Sequence, residues 1–335
     1  MHNIVKLPNN EREALFRNTS QKMNLHEAII EKDFWVCFSL DYLFHQNKWK
    51  DAFTFKGGTS LSKAYGLINR FSEDIDLILD WRLLGFDLEE PWQTRSNSKQ
   101  DAFNKQANQL ASSFLKLELL PVMKSDLSTM LGLNADCFIN EDDPQTINFN
   151  YPHIYNSEAI LQTIRLEIGA LAAWSPARKT QITSYAAEQY KNIFAQPSTE
   201  ILTVLPERTF WEKVTILHHE ANRPKMSLTP QRYSRHYYDL HCMAHSDVKD
   251  LAFEDIKLLE KVVDFKRKFY PRGWAKYEEA KPGTLKLIPS EGTIEALRAD
   301  YDNMREMMFG EYPTFDEIME TMKILEHEIN QGGQR

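Results

Sequence analysis

The stretch Phe53-Thr-Phe-Lys56-Gly57-Gly58-Thr59-Ser60-Leu61-Ser-Lys-Ala-Tyr65, followed five residues later by Arg70-Phe-Ser72-Glu-Asp74-Ile-Asp76-Leu-Ile-Leu79, decides how this chain is read. Phe53–Phe55 reads as a short strand, and Leu61, Tyr65 and Ile68 fall on one side of a short helix. Between them, glycines let the backbone approach a phosphate closely, and the N–H groups of the helix start with the Thr59 and Ser60 hydroxyls offer an anion site. A tight Gly-Gly turn with an ordinary capping hydroxyl would leave the same trace. In the acidic segment Ile75, Leu77 and Leu79 alternate with Asp74 and Asp76. Both carboxylates therefore share one strand face, about 7 Å apart by strand rise. Carboxylates that close repel one another and ask for a counter-charge, and a divalent cation is suited to that place. Strand, glycine turn, helix and acidic strand in immediate succession is the order that a nucleoside triphosphate and its metal require.

Working outward, strands are expected at Thr146–Tyr151 and Thr163–Leu171, the second alternating so that Glu167 takes the polar face. Glu167 is either an exposed strand residue or a third carboxylate, with which Asp74 and Asp76 could hold two Mg²⁺ ions. Residues 9–46 carry helical spacing, 82–101 read as a polar loop, and 102–120 as a helix ended by Pro121. The polar stretch 172–200 shows no strand pattern, so a domain boundary is placed between about 175 and 205, giving domains 1–180 and 200–335. Pro206-Glu207 suits the first turn of a helix that carries Lys213, and further helices are expected at 254–270, 293–309 and 314–330.

At 335 residues the chain exceeds what one core usually serves, and 42% hydrophobic with 12% aromatic residues supplies core material in plenty. No apolar run approaches the roughly 20 residues of a membrane span. The opening Met1-His-Asn-Ile-Val-Lys has no secretory pattern, and three scattered cysteines make neither a disulfide framework nor a CxxC pair, so a cytoplasmic location is expected. Neither a Walker A loop nor GxGxxG nor HExxH occurs. A net charge of −8 gives no overall basic field for nucleic acid. Locally, residues 261–286 hold eight basic against three acidic residues, interleaved with Phe265, Phe269, Tyr270, Trp274 and Tyr277. That segment is either a phosphate-binding and stacking surface or a solvated helix face whose aromatics enter the core, and the scarcity of exposed aromatics favours the second. His218 and His219 beside Glu220 point about 100° apart on a helix, which suits packing better than metal ligation.

The run Lys56–Tyr65 with Arg70–Leu77 resembles the AbiEii/AbiGii-type nucleotidyltransferase toxins of type IV toxin–antitoxin and phage-defence loci, MenT-like toxins included. Glu31-Lys-Asp-Phe-Trp35, Pro206-Glu-Arg-Thr-Phe-Trp-Glu-Lys213 and Arg235-His-Tyr-Tyr-Asp-Leu240 are similar to further family motifs, in the same order. The resemblance implies an α+β fold: a DNA-polymerase-β-like nucleotidyltransferase core with a mixed sheet, then a helical C-terminal domain. It implies Mg²⁺ (or Mn²⁺) on Asp74 and Asp76, an NTP substrate held by Lys56, Gly57, Gly58, Thr59, Ser60 and Arg235, Lys213 on the triphosphate, and Asp239 completing the pocket. It further implies a tRNA 3′ end as acceptor, a block on translation, a cognate antitoxin, and no membrane. By residue type alone, Lys213 reads as an exposed lysine beside Glu212, and Asp239 as a partner of Arg235. Ser72 borders the acidic pair, where phosphorylation would add about two negative charges and is expected to silence the enzyme. Transfer to a small molecule or protein hydroxyl, and a binding protein without turnover, stand as alternatives.

Overall fold

The computed structural model describes residues 1–158, 160–173, 175–224 and 227–332. The chain forms two compact units, Met1–Ala64 with Ser72–Val204, and Tyr65–Phe71 with Leu205–Arg335. The boundary is thus discontinuous, which the expected split at 180–200 does not include: the seven residues before Ser72 fold with the second unit.

In the first unit the order is α1 (His2–Val5), α2 (Asn9–Met23), α3 (Glu27–Asp41), β1 (Phe53–Lys56), α4 (Gly57–Lys63), β2 (Asp74–Leu79), α5 (Asn97–Phe114), α6 (Leu120–Leu131), β3 (Asp136–Ile139), β4 (Thr146–Asn150), β5 (Ile164–Gly169), β6 (Ala177–Thr183), α7 (Tyr185–Gln189) and β7 (Ser198–Val204). The strands make one mixed sheet in the order β3-β4-β5-β2-β1-β7-β6. β2 runs parallel to β5, and β1 parallel to β7; the other neighbours are antiparallel. Parallel β2–β5 pairing places Asp74 opposite Arg165 and Asp76 opposite Glu167.

Helix α3 packs against β5 and β7. It is buried from Ala28 through Asp41, and a helix apolar around most of its circumference belongs inside a core. Trp35 meets Phe34 and Phe38 edge-on at 5.3 Å, reaches Phe149 at 6.0 Å and stacks on Tyr151 at 5.7 Å. Such aromatic contacts join the helix to the inner face of the sheet, where Ile75, Leu77, Leu166 and Ile168 are fully or almost fully buried.

Two local expectations are corrected. The stretch 172–200 contains strand β6 and the start of β7, which pair over seven positions. Lys179 and Gln181 of β6 are exposed, so this edge strand lacks the buried alternation that identifies a strand in sequence. Pro121 does not end its helix: a π-type turn at Leu115–Leu119 runs straight into α6, with Pro121 at the junction in the first turn of α6.

In the second unit α8 (Pro206–Ala221) packs against α9 (Ser234–Ala244), α10 (Val248–Glu254) and α11 (Ile256–Phe269), and α12 (Glu291–Asn303) and α13 (Phe315–Gly332) pack on α9. Residues 65–71 are tied in by backbone pairing: the Phe71 N–H donates to the Met307 carbonyl at 2.7 Å and the Phe309 N–H to the Asn69 carbonyl at 2.8 Å. In the basic segment Phe265, Phe269 and Tyr277 enter the core, whereas Lys261, Arg267, Arg272, Lys281 and Lys286 remain exposed. Trp274 is faced by the Arg223 and Arg272 guanidinium groups at 5.1 and 5.8 Å.

Candidate active site

Strand alternation lifts Lys56, Asp74, Asp76, Arg165 and Glu167 onto the same side of the sheet, because register partners share a face. Lys56 stands opposite Asp76 on β1. The chain then turns at Gly57, whose φ of +82° is a left-handed conformation that side chains disfavour. A Cβ built there would lie inside the Asp76 carboxylate. Both steric conditions demand glycine.

The hydroxyls behind the turn face inward. Thr59 is 1% exposed; its hydroxyl donates to the main-chain carbonyl of Asp74 and lies 2.9 Å from the Ser72 hydroxyl. The Ser60 hydroxyl, fully buried, donates to the Gly57 carbonyl at 2.8 Å. Thr59 thus ties the glycine turn to the acidic strand, and Ser60 closes the turn on itself. Main-chain N–H groups at the start of α4 are what the turn offers an anion.

Glu167 stands opposite Asp76 on the acidic face. Its carboxyl is pushed up to about 7, first by burial and then by repulsion from Asp76 and Asp74, with Arg165 opposing. The Arg165 guanidinium lies 3.1 Å from Glu167, 3.0 Å from Asp143 and 3.8 Å from Asp74. An internal cation therefore already balances part of the charge, and neither Arg165 nor Asp143 was singled out from sequence. Among the described residues no group of three or more His, Cys, Asp or Glu side chains is assembled as a metal shell.

The second unit holds a separate charged cluster. Asp239, fully buried, takes Arg70 through two hydrogen bonds of 2.7 and 2.9 Å and the Lys213 ammonium at 2.7 Å. The expected Asp239–Arg235 pair is not formed: Arg235 has no carboxylate partner among the described residues, and Arg70, invisible as a partner at a separation of 169 residues, takes its place. Nor is Lys213 an exposed helix lysine; it is 7% exposed and also meets His236 Nδ1 at 3.0 Å. Burial, the Lys213 ammonium and Arg235 hold His236 well below the usual histidine range, so its neutral ring accepts that bond. Despite burial, Arg70 and Lys213 hold Asp239 far below the usual aspartate range. Lys213 is itself pulled down, since it is buried beside Arg70 and shares a single carboxylate with it.

His218 is a core residue, as its helix position suggested: its Nε2 donates to the Lys276 carbonyl at 3.0 Å while Nδ1 accepts the Lys286 N–H at 3.1 Å. His219 lies against Glu220 at 2.8 Å and edge-on to Trp274.

The sequence matches the family described as nucleotidyl transferase AbiEii toxin, type IV toxin–antitoxin system, over residues 41–321, well over half of the 335 residues. This chain belongs to that family. It is accordingly a nucleotidyltransferase and a toxin of the AbiEii kind. It is also similar to the solved structure of MenT4, a nucleotidyltransferase toxin from Mycobacterium tuberculosis H37Rv, at 16% identity and a TM-score of 0.44, with 96% of this chain and 97% of that chain covered. Among proteins of curated function none matches the sequence. No described helix is long and apolar enough to cross a membrane.

Two outcomes are expected of this AbiEii toxin. Gly57→Ala forces a strained φ and displaces the Asp76 carboxylate, so thermal unfolding should shift down by a few degrees, at about 1–3 kcal/mol of backbone strain, and nucleotidyl transfer should be lost. Full transfer by this variant would contradict the steric argument. Asp239→Asn strips the counter-charge from two buried cations and should destabilise the second unit by about 3–5 kcal/mol in denaturant unfolding. The same interaction gives the wild type a pH dependence. Because the carboxyl is depressed in the fold, its stabilisation is whole above the ordinary value of 3.8 and decays as pH falls below it toward the folded value. Acid titration of unfolding midpoints should show this decay in the wild type and not in Asp239→Asn.

Proposed function

We propose that this toxin moves a nucleoside monophosphate from an NTP, with Mg²⁺ or Mn²⁺, onto the 3′ end of tRNA in the cytoplasm, releasing pyrophosphate and blocking translation until an antitoxin neutralises it. The observation that carries the reading is the shared face on which Asp74, Asp76 and Glu167 stand beside the glycine-only turn at Gly57. An all-carboxylate donor set is chemically suited to Mg²⁺ and Mn²⁺. Asp74 and Asp76 would hold the ion, Glu167 being the nearest third donor, and the bound ion would supply charge neutralisation at the polyphosphate.

What the chain's own groups do follows from their placement. The turn at Gly57-Gly58 brings main-chain N–H groups toward the phosphates, with Lys56 opposite Asp76 adding positive charge. Arg165 orients Glu167 and screens it from Asp74. Lys213 and Arg235 supply positive charge in the second unit, which suits a polyphosphate. Positioning and charge placement together account for catalysis of this class. Exposed Lys261, Arg267, Arg272, Lys281 and Lys286 support a nucleic-acid acceptor over a small molecule.

The test incubates the purified chain with Mg²⁺, each α-labelled NTP in turn and total tRNA. Label is expected on tRNA with the wild type and not with Asp74→Ala/Asp76→Ala. Reversing the charge of Arg267, Arg272 and Lys281 should cut tRNA labelling at least tenfold. Label on protein or on a small acceptor alone would replace the tRNA reading, and an absence of any turnover would favour a binding protein.

Ser72 is proposed as a regulatory position. Its hydroxyl lies 2.9 Å from that of Thr59, which grips the Asp74 main chain, so a phosphate there would crowd the acidic pair with like charge. Ser72→Glu should depress transfer at least tenfold more than Ser72→Gln; equal activity of the two variants would remove the proposal.

A further inference from the structure

Three consecutive ionisable side chains, Glu31, Lys32 and Asp33, lie on the buried helix α3 and are 1%, 1% and 3% exposed. Buried charge is costly unless each group is met by a partner, and packing a core helix needs none of it. Here every one is met by segments of the same unit that are distant in sequence. The Glu31 carboxylate accepts the N–H groups of Ile154 at 2.8 Å and Tyr155 at 2.9 Å. The Lys32 ammonium donates to Glu73 Oε2 at 2.8 Å and to the Leu161 carbonyl at 2.7 Å. Asp33 takes the Lys63 ammonium at 2.7 Å on one oxygen and the Tyr185 N–H at 2.6 Å on the other.

All of the gripped positions but Tyr185, which opens α7 between β6 and β7, share a property. Glu73 immediately precedes Asp74; Leu161 lies three residues before β5, the strand of Arg165 and Glu167; Lys63 closes α4, the helix that opens at Gly57. Ile154 and Tyr155 follow β4, which pairs with β5. One turn of one helix thus holds, from the core side, the approaches to the elements that carry the acidic face and the glycine turn. Apolar packing alone is non-directional and would tolerate sliding of these segments; a charged hydrogen bond fixes distance and direction.

We propose that Lys32 and Asp33 are positioning residues for the acidic face, Lys32 by setting where β2 and β5 begin relative to each other and Asp33 by fixing the far end of α4. This rests on the reading of Asp74 and Asp76 as metal-binding carboxylates. Neither residue touches a substrate.

The experiment compares full-length wild type with Lys32→Met, Asp33→Asn, Glu73→Gln and Trp35→Phe. It measures Mn²⁺ affinity without nucleotide, kcat and KM for NTP in the transfer assay, and thermal melting. Lys32→Met removes a positive charge near the acidic pair, so electrostatics alone would tighten Mn²⁺ binding. Positioning demands the opposite sign: Mn²⁺ affinity at least tenfold weaker and kcat at least tenfold lower, with KM for NTP within threefold. Asp33→Asn should lower kcat in the same way. Trp35→Phe, equally buried on the same helix, should lower the melting temperature and leave Mn²⁺ affinity alone. Should Lys32→Met fail to fold, Glu73→Gln replaces a partly exposed side chain and is expected to reproduce the loss. Unchanged or tighter Mn²⁺ binding together with unchanged kcat in folded Lys32→Met overturns the inference, whatever the melting temperature does. Wild type that binds Mn²⁺ yet transfers nothing would sink the proposed function and leave the Mn²⁺ comparison to decide the positioning role. Wild type that binds no Mn²⁺ would sink both.

Discussion

The Asp76 carboxylate occupies the space that a side chain at residue 57 would fill. Much of the first unit can be derived from that one contact. It requires glycine in a left-handed conformation, which bends the chain from β1 into α4 and brings Thr59 under the start of β2. Thr59 then holds the main chain of Asp74, and the antiparallel register of β1 with β2 keeps Lys56 opposite Asp76. A carboxylate pressed against a glycine-only turn puts an acidic group and main-chain N–H groups side by side.

Charge balance is the second organising constraint. Burial first, and then repulsion from Asp76 and Asp74, raise Glu167, and Arg165 offsets part of the repulsion by spanning Asp74, Asp143 and Glu167. In the helical unit Arg70 and Lys213 share the buried Asp239 carboxylate.

Much of the site was legible in advance where the information was local. Asp74 and Asp76 share a face because strand alternation is a property of consecutive residues, and Glu167 could be placed on a polar face by the same rule. Partnerships were not legible. Arg70 and Asp239 stand 169 residues apart, so proximity in sequence favoured Arg235. The hydroxyls of Thr59 and Ser60 looked available to a phosphate because residue type says nothing of rotamer or burial. Exposed edge strand β6 escaped notice because its outward residues are polar on both sides of the alternation.

The sequence by itself determined the local geometry: the glycine turn, the acidic face of β2, the helical spacing before β1 and the proline-opened helix α8, each the product of steric or hydrophobic periodicity within about ten residues. The family assignment also rests on sequence, through ordered motifs along the chain. Only the tertiary structure decided which cation meets which carboxylate, that residues 65–71 fold with the helices, and that Glu31, Lys32 and Asp33 reach segments distant in sequence. Those outcomes depend on chain reversals that bring distant segments within a few ångströms, and the energy of an ion pair is set by that distance and by burial, neither of which is encoded at the position of either partner alone.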